Sequence, residues 1–255
     1  ILHSFPTRRS SDLDLTNKRN LGSIDLNSST AGNTRSASLS LSFNSIGTRL
    51  ISATYAGDTN NNPSSSAQFS LNVKSTPTIS LRLANSTARV GEQVALAVTV
   101  SANPLNKSFP TGTVEFFDND ISIGSVNLSG SGKTSTASLN KVFSLAGERN
   151  IKAVYSGDVD NNQVSSSILK LNLAKANSST NLTLSPNPVS IGQQLLIRAT
   201  VTGINPSGTV SFSDVSTASI LGTANLAGTG NSRSADLLIT VTSTSLRNIR
   251  AAYAG

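Results

Sequence analysis

Two short loops carry the residues best suited to chemistry. Asp58-Thr59-Asn60-Asn61-Asn62 has the form D-x-N-x-N, and Asp158-Val159-Asp160-Asn161-Asn162 has the form D-x-D-x-N. Calcium takes about six to eight oxygen ligands, and alternate loop residues can present several of them together. The candidate ligands are Asp58, Asn60 and Asn62 in the first loop and Asp158, Asp160 and Asn162 in the second. The same residue types suit a hairpin loop, where they supply turn conformations and local hydrogen bonds. Neither loop has the following glycine or the twelfth-position glutamate of an EF-hand. The hairpin reading is preferred, and no resident cofactor is expected.

Other chemistry finds less support. The first thirteen residues, Ile1 to Leu13, resemble the translation of a common short-read sequencing adapter and are set aside. His3, the one histidine, lies within them, and the chain has no cysteine. A Ser-His or Cys-His arrangement is therefore excluded. Glu92, Glu115 and Glu148 all fall in one stretch, and their counterparts about a hundred residues on are Gln193, Ser211 and the Leu246-Arg247 region. Paired carboxylates for glycoside hydrolysis are not indicated, no catalytic residue is assigned, and the chain is read as no enzyme. Without Arg8, Arg9 and Asp12 the formal charge falls from +7 to +6. Its cations are dispersed, with only Lys18-Arg19 adjacent, so no nucleic-acid footprint forms.

Sugar recognition would call for exposed aromatic faces. Tryptophan is absent, the three tyrosines sit on inward positions, and Phe117 alone points outward from its strand. A lone outward Phe more often packs against a loop or neighbouring domain. The six Asn-x-Ser/Thr sequons, at Asn27, Asn85, Asn106, Asn127, Asn177 and Asn181, matter only in a glycosylating secretory pathway. No apolar run approaches the length of a membrane span.

The elements that position the loops repeat. Ile51-Ser52-Ala53-Thr54-Tyr55-Ala56-Gly57-Asp58 returns as Ile151-Lys152-Ala153-Val154-Tyr155-Ser156-Gly157-Asp158 and as Ile249-Arg250-Ala251-Ala252-Tyr253-Ala254-Gly255. Alternate positions keep Ile, Ala and Tyr while the others drift, the signature of a strand with one face in a core. Ala37, Leu39, Phe43 and Gly47 recur as Ala137, Leu139, Phe143 and Gly147. Pro110-Thr111-Gly112-Thr113-Val114-Glu115-Phe116-Phe117-Asp118 recurs as Pro206-Ser207-Gly208-Thr209-Val210-Ser211-Phe212-Ser213-Asp214. The middle copy reads as seven strands, near 77–84, 93–101, 112–118, 121–128, 133–143, 149–156 and 165–173. Seven short alternating strands in about a hundred residues predict an immunoglobulin-like sandwich.

The pairing of Gly-Thr-Val-x-Phe-x-Asp with Ala-x-Tyr-x-Gly-Asp resembles the bacterial immunoglobulin-like repeats of large surface and adhesin-type proteins. The resemblance covers everything after Leu13 and implies an all-β chain of tandem immunoglobulin-like β-sandwich domains in an elongated array. It also implies export, to the medium or the cell surface. Family members often carry a second aromatic shortly after Gly-Asp, where this chain has Asn62 and Asn162.

Beyond the adapter-like residues 1–13, the expected domains are 14–75, lacking its first strands, 76–175, complete, and 176–255, lacking its last strand. With no initiator methionine and the motif interrupted at Gly255, both ends are expected to be truncated. The implied role is a non-catalytic stalk or spacer whose partners are neighbouring repeats of the same chain. The alternatives are a spacer within a secreted multidomain enzyme, or an adhesin module that binds a host or matrix glycan or protein directly.

Overall fold

The computed structural model describes residues 9–14, 19–26, 34–106 and 109–255. His3, Asn27 and adapter-like residues 1–8 lie outside them. The described residues hold strands and turns and no helix, as the alternating pattern predicts. Two compact units divide the chain. The first runs to residue 84 and takes up 95–140 and 150–170; the second takes 85–94, 141–149 and 171–255. The middle copy contributes strands to both.

Its seven expected strands are all present: Thr78–Leu83, Gln93–Ser101, Thr113–Asp118, Ile121–Asn127, Thr134–Val142, Gly147–Tyr155 and Leu169–Ala174. Three short strands, Thr87–Arg89, Ser129–Ser131 and Val164–Ser165, add to them. Thr78–Leu83, Gln93–Ser101, Thr134–Val142 and Ser129–Ser131 form one sheet. Ile121–Asn127, Thr113–Asp118, Gly147–Tyr155, Leu169–Ala174 and Thr87–Arg89 form the other, with Val164–Ser165 paired to Gly147–Tyr155. Apolar side chains alternate inward from both: Leu81, Leu96, Val98, Val100 and Ala137 from the first sheet, Val114, Phe116, Ile151, Ala153 and Tyr155 from the second. This is a β-sandwich of the immunoglobulin-like kind.

In the second unit, Ser179–Ser185, Gln194–Thr202 and Ser232–Thr240 make one sheet, and Ser219–Asn225, Thr209–Asp214 and Ile249–Tyr253 the other. Their inner faces share one core around Ile197, Ala199, Val201, Val210, Phe212 and Ala235.

The first copy is a single sheet of Arg19–Asp25, Arg9–Asp14, Gly47–Tyr55, Ser64–Ser65 and Phe69–Val73. The expected strand through Ala37, Leu39 and Phe43 does not form; residues 34–43 are irregular. Their middle-copy counterpart lies beside Gln93–Ser101; among the described residues of the first copy no strand pairs with residues 34–43. Phe69, the counterpart of half-buried Leu169, is exposed. Part of the stretch set aside as adapter-like takes strand conformation. Ser10 pairs with Tyr55 and Asp12 with Ala53, the register in which Val114 and Phe116 pair with Tyr155 and Ala153. Polar residues thus hold positions that are apolar in both other copies.

Two periodic features escape the apolar pattern. Arg49 Nη2 donates to the Ser45 carbonyl at 3.1 Å, and Arg149 Nη2 to the Leu145 carbonyl at 2.9 Å. Arg247 Nη2 reaches Ser243 Oγ at 3.2 Å, while its Nη1 lies 3.4 Å from buried Asp214. Each arginine staples the turn that feeds the tyrosine strand. The second feature is a bulge at Gly124, where the register shifts. Its φ is 152°, and an added Cβ would lie 3.1 Å from Leu139 Cδ2. Gly22 and Gly222 repeat the arrangement against Leu39 and Leu237.

Gly124→Ala is expected to destabilise the middle copy by about 1–2 kcal/mol, through a backbone conformation only glycine visits freely and a crowded Leu139. Chemical denaturation measures the change; an unaltered midpoint would show that the bulge tolerates a side chain.

Candidate functional site

The strand Gly47–Tyr55 and its counterpart Gly147–Tyr155 each deliver the chain into a loop of the same build. Gly157 turns it with φ of 78°, and an added Cβ would lie 2.8 Å from the Asn161 carbonyl oxygen. The Asp158 amide then donates to that carbonyl at 3.0 Å, as Asp58 does to Asn61 at 2.9 Å.

The aspartate side chain holds each loop from within. Asp158 Oδ1 accepts the amides of Asp160 and Asn161 at 2.9 and 2.7 Å and Asn161 Nδ2 at 2.9 Å. Its Oδ2 accepts the Thr111 amide at 2.8 Å and the Thr111 hydroxyl at 3.1 Å. Asp58 Oδ1 likewise accepts the amides of Asn60 and Asn61 at 2.8 and 2.9 Å, and the Tyr55 hydroxyl donates to Oδ2 at 2.6 Å. The Tyr155 hydroxyl, fully buried, faces Asp158 outside hydrogen-bonding geometry.

Burial pushes the Asp158 carboxyl upward, but the Thr111 amide, the Asn161 side chain and the Asp160 amide outweigh it and hold the group at about 2. Burial first, and then the Asp158 carboxylate, drive Tyr155 in the opposite sense, well above the ordinary phenol range.

Asn161 extends this cap to the chain before Pro77. Its side chain is fully buried, and Oδ1 accepts Asn106 Nδ2 at 3.1 Å and the Ser75 hydroxyl at 3.4 Å. The Ser75 amide donates to the Asp160 carbonyl at 2.9 Å, and the Asn162 amide returns to the Ser75 carbonyl at 2.8 Å. Lys74 Nζ donates to the Asp158 carbonyl, and Asn162 Nδ2 to Thr76 Oγ1 at 3.2 Å. The linker Lys74-Ser75-Thr76 is thus pinned to the loop by backbone and side chain alike.

Of the six residues singled out as calcium ligands, Asp58 and Asp158 sit at the centre of their loops. Asn60 and Asp160 give them backbone amides, while Asn162 turns to the linker. A cation at either carboxylate would meet the hydrogens of N–H and O–H donors, so the donor set fits a capped turn better than a calcium seat. Among the described residues no group of three or more Asp, Glu, His or Cys is placed to hold a metal.

Neither motif nor spacing singles out Asn161, Thr111, Ser75 and Asn106 as site residues. Asn161 carries a usable signal, since Asn61 stands at the same place in the first loop. The others act across long sequence separations. Phe117 is half-buried, with Lys152 Nζ 5.4 Å from its ring centroid and held at 2.7 Å by Asp120. Its outer face is thus taken up by a local cation. Glu92 accepts the Arg89 amide of its own turn at 2.8 Å.

The middle copy thus has seven main and three short strands in two sheets, with the Tyr-x-Gly-Asp loop following Gly147–Tyr155. Residues 81–174 match the Bacterial Ig-like domain (group 3). The loop recurs in the first copy and the pair of sheets in the third. Among solved structures, the chain is similar to the fibronectin(III)-like modules of Clostridium thermocellum CbhA at 17% identity. That likeness covers 63% of this chain and 78% of that one with a TM-score of 0.29, too loose to argue from. No curated protein matches the chain.

Because the folded Asp158 carboxyl lies below its unfolded value, its stabilising effect is complete above the unfolded pKa and fades as pH falls toward the folded one. The stability gap between the parent chain and Asp158→Asn is therefore expected to be widest near neutral pH and to narrow between about pH 5 and pH 2. Urea melts across that range measure it. A gap independent of pH would mean that the carboxylate charge is not what the donors hold.

Proposed function

We propose that the chain is a run of structural Ig-like modules, a stalk or spacer of a secreted or cell-surface protein, with no chemistry of its own. One observation supports this reading above the others. The polar groups of the Asp158 loop, the best chemical candidate in the sequence, are spent on the loop itself and on the linker that enters the middle copy. A module whose best-equipped loop serves its own joint is suited to transmitting position or force. The match to the Ig-like family over 81–174 is in keeping with this, as is the dispersed charge. The family resemblance supports extracellular placement. Among the described residues no helix is long and apolar enough to cross a membrane.

The mechanism is mechanical. Each complete copy keeps its own core, so copies unfold separately and reach grows with their number. Single-molecule pulling tests it. The middle copy is expected to give one discrete event releasing roughly 330–360 Å for its hundred or so residues, less the folded end-to-end distance. Gradual extension without such an event would remove the load-bearing role. Saturable binding in a glycan or matrix-protein screen would instead favour an adhesin module.

A further inference from the structure

The second unit takes in residues 85–94 of the middle copy together with 171–255, so the joint between the middle and third copies lies inside one compact body. On the middle-copy side stands the turn 89–92, which is tied down from several directions. Glu92 Oε2 accepts the Arg89 amide at 2.8 Å, and the Glu92 amide donates to the Arg89 carbonyl at 3.0 Å. The amides of Val90 and Gly91 donate to the Ala174 and Phe143 carbonyls, each at 3.0 Å. Gly91 closes the turn with φ of 86°. Arg89 Nη1 reaches forward to the Lys175 carbonyl at 3.2 Å, so the segment that leaves the middle copy is held by the same turn.

On the other side stands the third copy's loop 203–205. Asn231 grips it on both flanks of Ile204: its carbonyl accepts the Gly203 amide at 2.9 Å, and its Oδ1 accepts the Asn205 amide at 3.2 Å. Asn205 has φ of 46°, a left-handed conformation that asparagine adopts more readily than most residues. At Gly203 an added Cβ would lie 3.3 Å from Ser178 Cβ, so the bare backbone lets the loop rest against the segment joining the copies. Ile204 is thereby presented to Gly91. A Cβ built at Gly91 would overlap Ile204 Cδ1 and stand 3.5 Å from its Cγ1. Gly192 makes the same turn in the third copy, with φ of 84° and its amide on the Val241 carbonyl at 2.8 Å. Among the described residues no atom lies within 4 Å of a Cβ built there. Backbone conformation calls for glycine at both turns, and at Gly91 a neighbour calls for it as well.

We propose that Ile204 and the Gly91 turn form a knob and seat that fix the third copy against the middle one. The surface is bare backbone at Gly91, and its partner is a branched aliphatic side chain on the following repeat of the same chain. Ile204 stays 41% exposed, so the contact sets direction rather than strength, and close packing there leaves no room for added volume. Thr180 pairs with Val201 as Ile79 pairs with Val100, which puts Asn103 where Ile204 stands; the apolar knob is particular to this joint. The inference goes beyond the stalk reading, since a fixed joint serves a stalk, an enzyme's spacer or an adhesin alike.

Relaxation of ¹⁵N nuclei in the full chain tests it. Core amides of the middle copy, such as Val98, and of the third, such as Val210, are expected to report one common rotational correlation time. Ile204→Ser is expected to split it into two shorter ones while the chemical shifts of both cores stay in place. Gly91→Ala is expected to split it too, because the new Cβ displaces Ile204 Cδ1. Ile204→Val deletes that atom and is expected to restore the common time in the Gly91→Ala background. Gly192→Ala carries the same backbone strain without the neighbour and is expected to leave it unchanged. Separate tumbling in the parent chain, or common tumbling that survives Ile204→Ser, would overturn the proposal. So would a Gly91→Ala effect that Ile204→Val does not relieve, since strain in the turn would then account for it alone.

Discussion

A single carboxylate organises the end of the middle copy. Asp158 draws donors from its own turn and from Thr111, and through Asn161 it reaches Asn106 and Ser75. A buried amide such as Asn161 costs free energy unless its polar atoms are paired. Here the pairing is possible only if the loop, the linker, Asn106 and Thr111 take up their positions together. Charge-assisted hydrogen bonds are among the stronger polar contacts, and this set joins segments more than eighty residues apart in sequence. The chain has no disulfide to do so.

The cap rests on a core built from small increments. With 4% aromatic residues, the sandwich relies on Val, Leu, Ile and Ala filling alternate inward positions of both sheets. One tyrosine or phenylalanine per facing strand supplies bulk, as Phe116 and Tyr155 do. The same construction recurs around Phe212 in the second unit. The first copy shows the constraint from the other side. It keeps its Tyr–Asp cap, which is local, whereas its Ala37–Phe43 segment pairs with no strand among the described residues. Local turn chemistry survives without a sandwich, whereas strands need partners.

Much of this was legible in the residues. Period-two alternation placed all seven main strands of the middle copy, and the spacing of the three tyrosines revealed the repeat. Arg49, Arg149 and Arg247 were equally periodic and could have been read as turn staples. What stayed hidden was partnership. The D-x-D-x-N spacing is compatible with calcium ligation and with a capped turn, since both require oxygen atoms close together in sequence. The difference lies in what faces them. Thr111, Asn106 and Ser75 come from distant segments with ordinary sequence surroundings, so only the fold brings their donors to Asp158 and Asn161. The short strands Thr87–Arg89 and Val164–Ser165 were missed for the same reason: they are too brief to show alternation and exist through their neighbours.

The central claim is that the linker belongs to the middle copy's folded structure and is not a free tether. Native-state amide hydrogen exchange tests it most directly, at Ser75 and Asn162, the two amides that cross between linker and loop. The account predicts that both are protected and exchange with the free energy of core amides such as Val98, by opening of the middle copy as a whole. Exchange of Ser75 and Asn162 at the rate of an unstructured peptide, with Val98 still protected, would contradict it.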